Sequence, residues 1–214
     1  MMLSLDHLVV AVPDVAAAQR AVADALGVAP VFGGAHPGVG TCNALLSLGG
    51  RQYLELVGPD PGAASPGELG RRAAALKTAE IWGFAVACDD LDGLAQRARG
   101  AGLQPVGPTA GSRRTPEGTQ LHWRVLGLPS IGFGGLLPFA IDWLDTPHPA
   151  QTSPQGPRLE TWHVAHPQPD ALRALLAQLG VALNVHAGLH SAIVATVVHG
   201  ERRLTLTGGG PGLF

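Results

Sequence analysis

The sequence is short of the groups that mark several large classes of protein. Two cysteines, Cys42 and Cys88, stand far apart, which gives neither a CxxC redox pair nor a disulfide framework and points to a reducing, cytoplasmic setting. Charged residues make up only 14% of the chain, the formal net charge is -2, and Lys77 is the one lysine among scattered arginines. No basic patch exists to meet a polyanion, so nucleic acid is excluded as an expected partner. The uncharged stretch at 125–141 is broken by Pro129, Pro138 and four glycines at 127, 132, 134 and 135, so no membrane span is expected there. The opening MMLSLDHLVVAV has no basic start and carries Asp6 inside its apolar run, which reads as a strand and not as a signal peptide. No GxGxxG opens a helix, since FGGAHPGVGTCN runs into a strand, and GxSxG is absent. His186 and His190 stand four apart, but Gly188 lies between them and no glutamate follows His186, so the zincin pattern is missing too.

What is present is apolar and turn-rich. Hydrophobic residues make up 46% and the mean hydropathy is +0.20, enough to bury a sizeable core against the entropy of ordering the chain. Thirty glycines and 18 prolines demand many turns and disfavour an all-helical bundle. The length, 214 residues, admits one large domain or two small ones.

A repeat organises the chain. LDHLVVAVPDVAAAQRAVADALG, from Leu5, aligns with IWGFAVACDDLDGLAQRARGAG, from Ile81. Each is an apolar strand, an aspartate placed to cap a helix (Asp14; Asp89 or Asp90), an alanine-rich helix and a stopping glycine, Gly27 or Gly102. A weaker third copy, TWHVAHPQPDALRALLAQLG, begins at Thr161, with Asp170 as the cap candidate and Gly180 as the stop. Further strands follow each helix: 43–48 and 52–57 in the first copy, QLHWRVL and LLPFAIDWL in the second, SAIVATVV and RRLTLT in the third. The proline-rich stretch 147–157 reads as a linker. The expected division is thus paired modules over 1–146, that linker, and a third, partial βαβ-type module over 158–214 packed on the same body.

These landmarks carry a resemblance. LDHLVVAV, GGAHPGVGTCNALLSLG, QYLEL, GSRRTPEG with LHWRV, and LPFAIDW are similar, in order, to those of glyoxalase-like domain proteins of the vicinal oxygen chelate superfamily. The resemblance implies an α+β fold of repeated βαβββ modules whose strongly curved mixed sheet forms a cup. Metal-dependent members usually carry one ligand on a module's first strand and another on its last.

Strand alternation then selects the side chains facing that cup, if the more continuously apolar face lies under the helices. On this rule Leu8, Val10 and Val12 are covered and His7 faces in. Ala44, Leu46 and Leu48 are covered, leaving Asn43, Leu45 and Ser47 inside, and Leu54 and Leu56 leave Tyr53 and Glu55 inside. In the second module the rule sends Leu121, Trp123 and Val125 outward with His122 and Arg124 inward, and Phe139, Ile141 and Trp143 outward with Asp142 inward. His7, Glu55 and Asp142 then supply one imidazole and two carboxylates, suited to a divalent metal (Fe, Mn, Ni or Zn) or to a hydrogen-bonded polar cluster without one. The resemblance matches His7 and Glu55 to first-strand and last-strand ligands; Gly83 stands where the second histidine would be. His163 occupies the slot of His7 in the third module, with Thr205 in the slot of Glu55. His36, Thr41 and Arg113 lie on loops that the resemblance brings to the mouth of the cup. Arg113 or Arg114 can grip a substrate carboxylate bidentately, or be an exposed surface charge.

Two functions follow as expectations. One is a metal-dependent glyoxalase-like enzyme of isomerase, lyase or dioxygenase type acting on a small oxygen-bearing substrate. In it His7, Glu55 and Asp142 hold the metal, Glu55, Asp142 and His122 serve the chemistry, and His36, Thr41, Asn43, Tyr53, Arg113 and Arg124 hold the substrate. The other is a small-molecule binding or drug-sequestering protein without turnover. A homodimer is an expected partner state, and 127–138 is expected to cover the cup or meet a second subunit.

Overall fold

The structure is a computed structural model, and residues 2–36, 38–129, 132–209 and 213 are described. Seven consecutive buried residues make β1 (Leu5–Ala11), a strand covered on both faces. Helix α1 (Val15–Leu26) follows. Asp14 opens it by accepting the Ala17 amide at 2.9 Å, and Gly27 closes it at φ 73, where a residue with a Cβ would be strained. Strands β2 (Val31–His36), β3 (Thr41–Ser47) and β4 (Tyr53–Pro59) run antiparallel, and β4 returns parallel to β1. A short helix α2 (Glu68–Ala74) leads into the second copy: β5 (Glu80–Ala87), α3 (Leu91–Gly100), β6 (Val106–Arg114), β7 (Gln120–Gly127) and β8 (Phe139–Asp142). Of the two cap candidates before α3, Asp90 does the capping, accepting from Gly93 N at 2.8 Å. Antiparallel pairing of β1 with β5 joins the copies, giving β2-β3-β4-β1-β5-β8-β7-β6.

That eight-strand stretch curls until its ends meet. The Arg113 guanidinium on β6 donates through Nη1 to the Gly33 carbonyl on β2. Gly34 adopts φ +137, and a Cβ there would stand 2.7 Å from the Arg114 carbonyl oxygen. The strands approach this closely because glycine has nothing to place between them.

The third copy consists of β9 (Arg158–His166), α5 (Pro169–Leu179), β10 (Val185–Ala187), β11 (Ala192–His199) and β12 (Arg202–Gly208). Gln168, and not Asp170, is the cap position of α5: Pro169 takes the first helical turn, and Asp170 sits within it, paired with Arg173. The strand order here is β10-β9-β11-β12, so the first strand lies between the second and third and not beside the last. Among the described residues this sheet meets the larger one in one strand pairing, Gly208 with Ile81, in a few hydrogen bonds such as Leu159 N to the Leu48 carbonyl at 3.4 Å, and through apolar side chains. One buried cluster contains Leu8, Val10 and Leu46 of the first copy, Phe84, Leu94 and Leu126 of the second, and Val164, Leu172 and Ile193 of the third.

Two connecting segments are packed into the body. The stretch 147–157 contains a one-turn helix, α4 (Pro149–Thr152), a buried His148, and a Pro154 carbonyl that accepts from Ser47 N at 3.1 Å. It is pinned, not slack. The segment 127–138 (Ser130 and Ile131 lie outside the described residues) buries Leu128, Leu136 and Leu137 in the same core as the helices and sets Phe133 against His166 with the rings tilted and their centroids 5.2 Å apart. Its described residues pack at the junction with the third copy, and none of them lines the cup. Among the described residues no helix is long and apolar enough to cross a membrane.

Candidate active site

Between Leu5 and His7 the pairing of β1 slips: Leu5 faces Val86 and His7 faces Ala85. Asp6 is therefore the extra residue of a β-bulge, which re-aims a side chain that strict alternation would send elsewhere. Leu5 and Leu8 both enter the helix-side core, and between them Asp6 and His7 come together. The Nδ1–H of His7 donates to Asp6 Oδ1 at 2.7 Å. The same carboxylate receives Nε2–H of His148 on Oδ2 at 3.0 Å and the indole N–H of Trp143 on Oδ1 at 3.3 Å. His148 takes the Ala150 amide on Nδ1 at 3.2 Å, which fixes it as the Nε2–H tautomer. Asp6 is 1% exposed. Burial alone would raise its pKa, yet the hydrogen bonds from His148 and His7 and the charge they can carry hold it well below the usual carboxylate range.

With Nδ1–H committed to Asp6, Nε2 of His7 is left toward the cup, 3.6 Å from Glu55 Oε2. Tyr53 stacks on the His7 ring at 4.4 Å and Phe139 meets it edge-on at 5.4 Å. Glu55 is held from the other side by Asn43 Nδ2, which donates to Oε1 at 2.7 Å. The same amide lies 3.1 Å from His36 Nε2, whose ring donates from Nδ1 to Thr41 Oγ1 at 2.8 Å. Burial lowers the His36 pKa against the pull of Glu55, keeping the ring neutral and able to accept. Burial likewise pushes the Tyr53 phenol well above its ordinary value, so it remains protonated.

These groups open on a cavity of about 880 Å³, large enough for a small organic molecule. One side is polar: His7, His36, Asn43, Glu55 and Arg113. The other is Trp123, Val125, Phe139, Ile141 and Trp143, and Leu213 closes one end against Gly83.

Of the residues selected from sequence, His7, His36, Asn43, Tyr53, Glu55 and Arg113 line this cavity, and Thr41 is buried behind His36. His122, Arg124 and Asp142 are placed elsewhere, a correction to the expected facing. Arg124 reaches Asp92 on α3 at 3.3 Å, Asp142 Oδ1 accepts the Leu144 amide at 2.9 Å, and His122 is exposed. The rule that the more apolar face lies under helices inverts on β7 and β8, because the cup itself is an apolar cluster there, with Ile141 and Trp143 at its centre. Asp6 and His148 were missed. The one signal for Asp6 was its presence inside an apolar strand.

A divalent metal held by this chain would need a third donor. His7 Nε2 and Glu55 Oε2 are two; His36 Nε2 already takes the Asn43 amide; the slot at Gly83 is met by Leu213; and Asp142 points away. Among the described residues no group of three His, Cys, Asp or Glu side chains is arranged to hold a metal. The donor set does not fit a metal bound by the protein alone.

The curved sheet of βαβββ copies with an acid–base cluster inside it defines a glyoxalase-type fold. The family model of the glyoxalase-like domain matches residues 5–180, and the chain belongs to that family. A hypothetical protein from Staphylococcus aureus has a similar structure, with a TM-score of 0.65 at 15% identity over 98% of this chain and 86% of that one. Streptomyces coelicolor methylmalonyl-CoA epimerase, in complex with 2-nitronate-propionyl-CoA, gives 0.51 at 20% identity over 68% of this chain and 98% of that one. A mutant of 4-hydroxymandelate synthase from Streptomyces coelicolor gives 0.56 at 19% over 97% and 63%. At these identities the likeness is one of fold. No curated protein matches the chain.

Proposed function

We propose that the cup is the active site of an enzyme that moves a proton on a small oxygen-bearing substrate, in an isomerase-type or lyase-type reaction that uses no protein-bound metal. The observation that carries this is the Asp6–His7 pair: a buried carboxylate holds the proton on Nδ1 and presents the basic Nε2 to the cavity, the arrangement by which a histidine is oriented as a general base. His7 takes a proton from a carbon next to a substrate carbonyl, and the C–H electron pair moves into an enolate. Glu55, 3.6 Å from Nε2, shares that proton, which returns to a different carbon or leaves with a departing group. Removing such a base costs about 10²- to 10⁴-fold in rate.

The test is proton exchange followed by NMR in D₂O, over a panel of carbonyl compounds with and without a carboxylate. Exchange at the carbon next to the carbonyl is expected with the unaltered protein, falling by about 100-fold in His7→Gln and in Glu55→Gln. A second reading, sequestration without turnover, is favoured by the aromatic wall of Trp123, Phe139 and Trp143; tight binding of panel members with no exchange in any of them would select it.

A further inference from the structure

The Arg113 guanidinium is 4% exposed and lines the cavity. Its hydrogen bond among the described residues goes to the neutral Gly33 carbonyl, and it takes part in none of their ion pairs. A buried charge without a counter-charge is costly and persists where a ligand supplies one. Burial accordingly lowers the Arg113 pKa, with Glu55 too distant to pair with it but near enough to oppose the shift. The negative groups of the cup are in a different position. Asp6 receives three donors, and Glu55 is bound by Asn43 at 2.7 Å. The buried acids in and behind the cup are engaged and its buried cation is not; Glu68, which also lines the cavity, is exposed.

Resting on the reading of the cup as the substrate site, we infer that its ligand is an aryl- or alkyl-substituted monocarboxylate. The carboxylate sits on the free edge of Arg113 and the apolar body lies along Trp123, Val125, Phe139, Ile141 and Trp143. Of the two arginines that sequence left open, Arg114 is exposed and has no part in this. Of the two arginines that line the cavity, Arg72 is half-buried with its guanidinium over the Trp82 ring at 4.8 Å, and Arg113 is the fully buried one, a single guanidinium that matches one negative charge. A phosphate dianion would leave net negative charge beside Glu55 in an apolar enclosure. The guanidinium fork also meets a carboxylate with two parallel hydrogen bonds, a geometry lysine does not offer.

Trp123 and Trp143 report occupancy by fluorescence, so binding can be read without turnover. The probes are 3-phenylpropanoate and its neutral isostere 3-phenylpropanamide. The carboxylate is expected to bind the unaltered protein at least about tenfold more tightly than the amide. Arg113→Lys should erase most of that preference while amide binding stays as it was. Arg113 also closes the sheet, so the comparison of the two probes on the unaltered protein stands by itself if the variant fails to fold. Equal affinities, or no binding of either probe up to about 10 mM, overturn the inference. His7→Gln separates it from the proposed reaction: the carboxylate preference should survive while exchange is lost. Preference without exchange in the unaltered protein sinks the reaction and leaves the ligand class. Exchange confined to neutral carbonyl compounds does the reverse.

Discussion

Asp6 joins three parts of the chain through one carboxylate: His7 on its own strand, Trp143 just past β8, and His148 before α4. Its depressed pKa makes it a pH-dependent stabiliser. A carboxylate with a folded-state pKa below the unfolded value of about 3.9 contributes stability that is fully present above that pH and is lost as pH falls toward the folded value. Asp6→Asn removes the charge and turns an N–H toward a donor, so a loss of about 2 to 5 kcal/mol at neutral pH is expected. Urea unfolding between pH 3 and about 7 checks both points: the gap between the two proteins should narrow as pH falls below about 4, and a gap independent of pH would refute the assignment. Asp142→Asn belongs at the same scale with the opposite expectation. Among the described residues its side chain accepts the Leu144 amide and lies outside the cavity lining, so proton exchange should be unchanged, as it should after EDTA treatment; activity lost to EDTA and restored by Fe, Mn, Ni or Zn would return a metal to the site. Much of the cluster was legible. His7, Asn43, Tyr53 and Glu55 follow from alternation on β1, β3 and β4, whose covered faces are plainly aliphatic. Asp6 was not, because a bulge breaks the period of two on which the reading depends. His122, Arg124 and Asp142 were misplaced because tryptophan and isoleucine in the cup make its wall as apolar as the face under α3.

Elements set the enclosure. The three longer helices were readable from their ends, where Asp14 and Asp90 cap α1 and α3, Gly27 closes α1 and Gly102, at φ 83, follows the α3 C-cap Ala101, while Gln168 in place of Asp170 shows a proline at the first position moving the boundary by two residues; the short α2 and α4 were not readable. The meeting of β2 with β6 was invisible in sequence, since it depends on how far the whole sheet twists and curls. It concentrates on few atoms. Gly34→Ala would force a Cβ to within 2.7 Å of the Arg114 carbonyl at a φ of +137, and a loss of about 1 to 3 kcal/mol is expected. Because Arg113 on β6 is held by Gly33 next door, the same change should also weaken 3-phenylpropanoate binding. Hydrogen exchange faster than in the unaltered protein at β2 and β6, with β11 and β12 unaffected, would mark a local opening of the seam; uniform acceleration would mean that the seam is not an independent element.

At the scale of the molecule, the third copy has lost the strand order of the first two and has become cover. Trp162 on β9 meets Phe84 on β5 at 5.0 Å, His199 on β11 bonds the Leu26 carbonyl at 2.9 Å, and Arg202 on β12 bonds the Asp24 carbonyl at 2.8 Å. A fragment ending at residue 146 would expose the apolar partners of Val164, Leu172, Leu176 and Ile193 and would lose His148 from Asp6. Large-to-small changes at single core positions already cost about 2 to 5 kcal/mol each, against a total stability of about 5 to 15 kcal/mol, so such a fragment cannot be expected to stand alone. The proposal is therefore one cooperative body across all three copies. Single-tryptophan proteins keeping Trp143 in the cup wall or Trp162 in the third copy test it, because each reports a different sheet. Their urea transitions should coincide in midpoint and slope, and 147–157, held by α4 and by Pro154 against β3, should resist proteolysis until that transition begins. Two separated midpoints, or an early cut in 147–157 that releases a folded fragment still binding 3-phenylpropanoate, would divide the chain into two units at that segment.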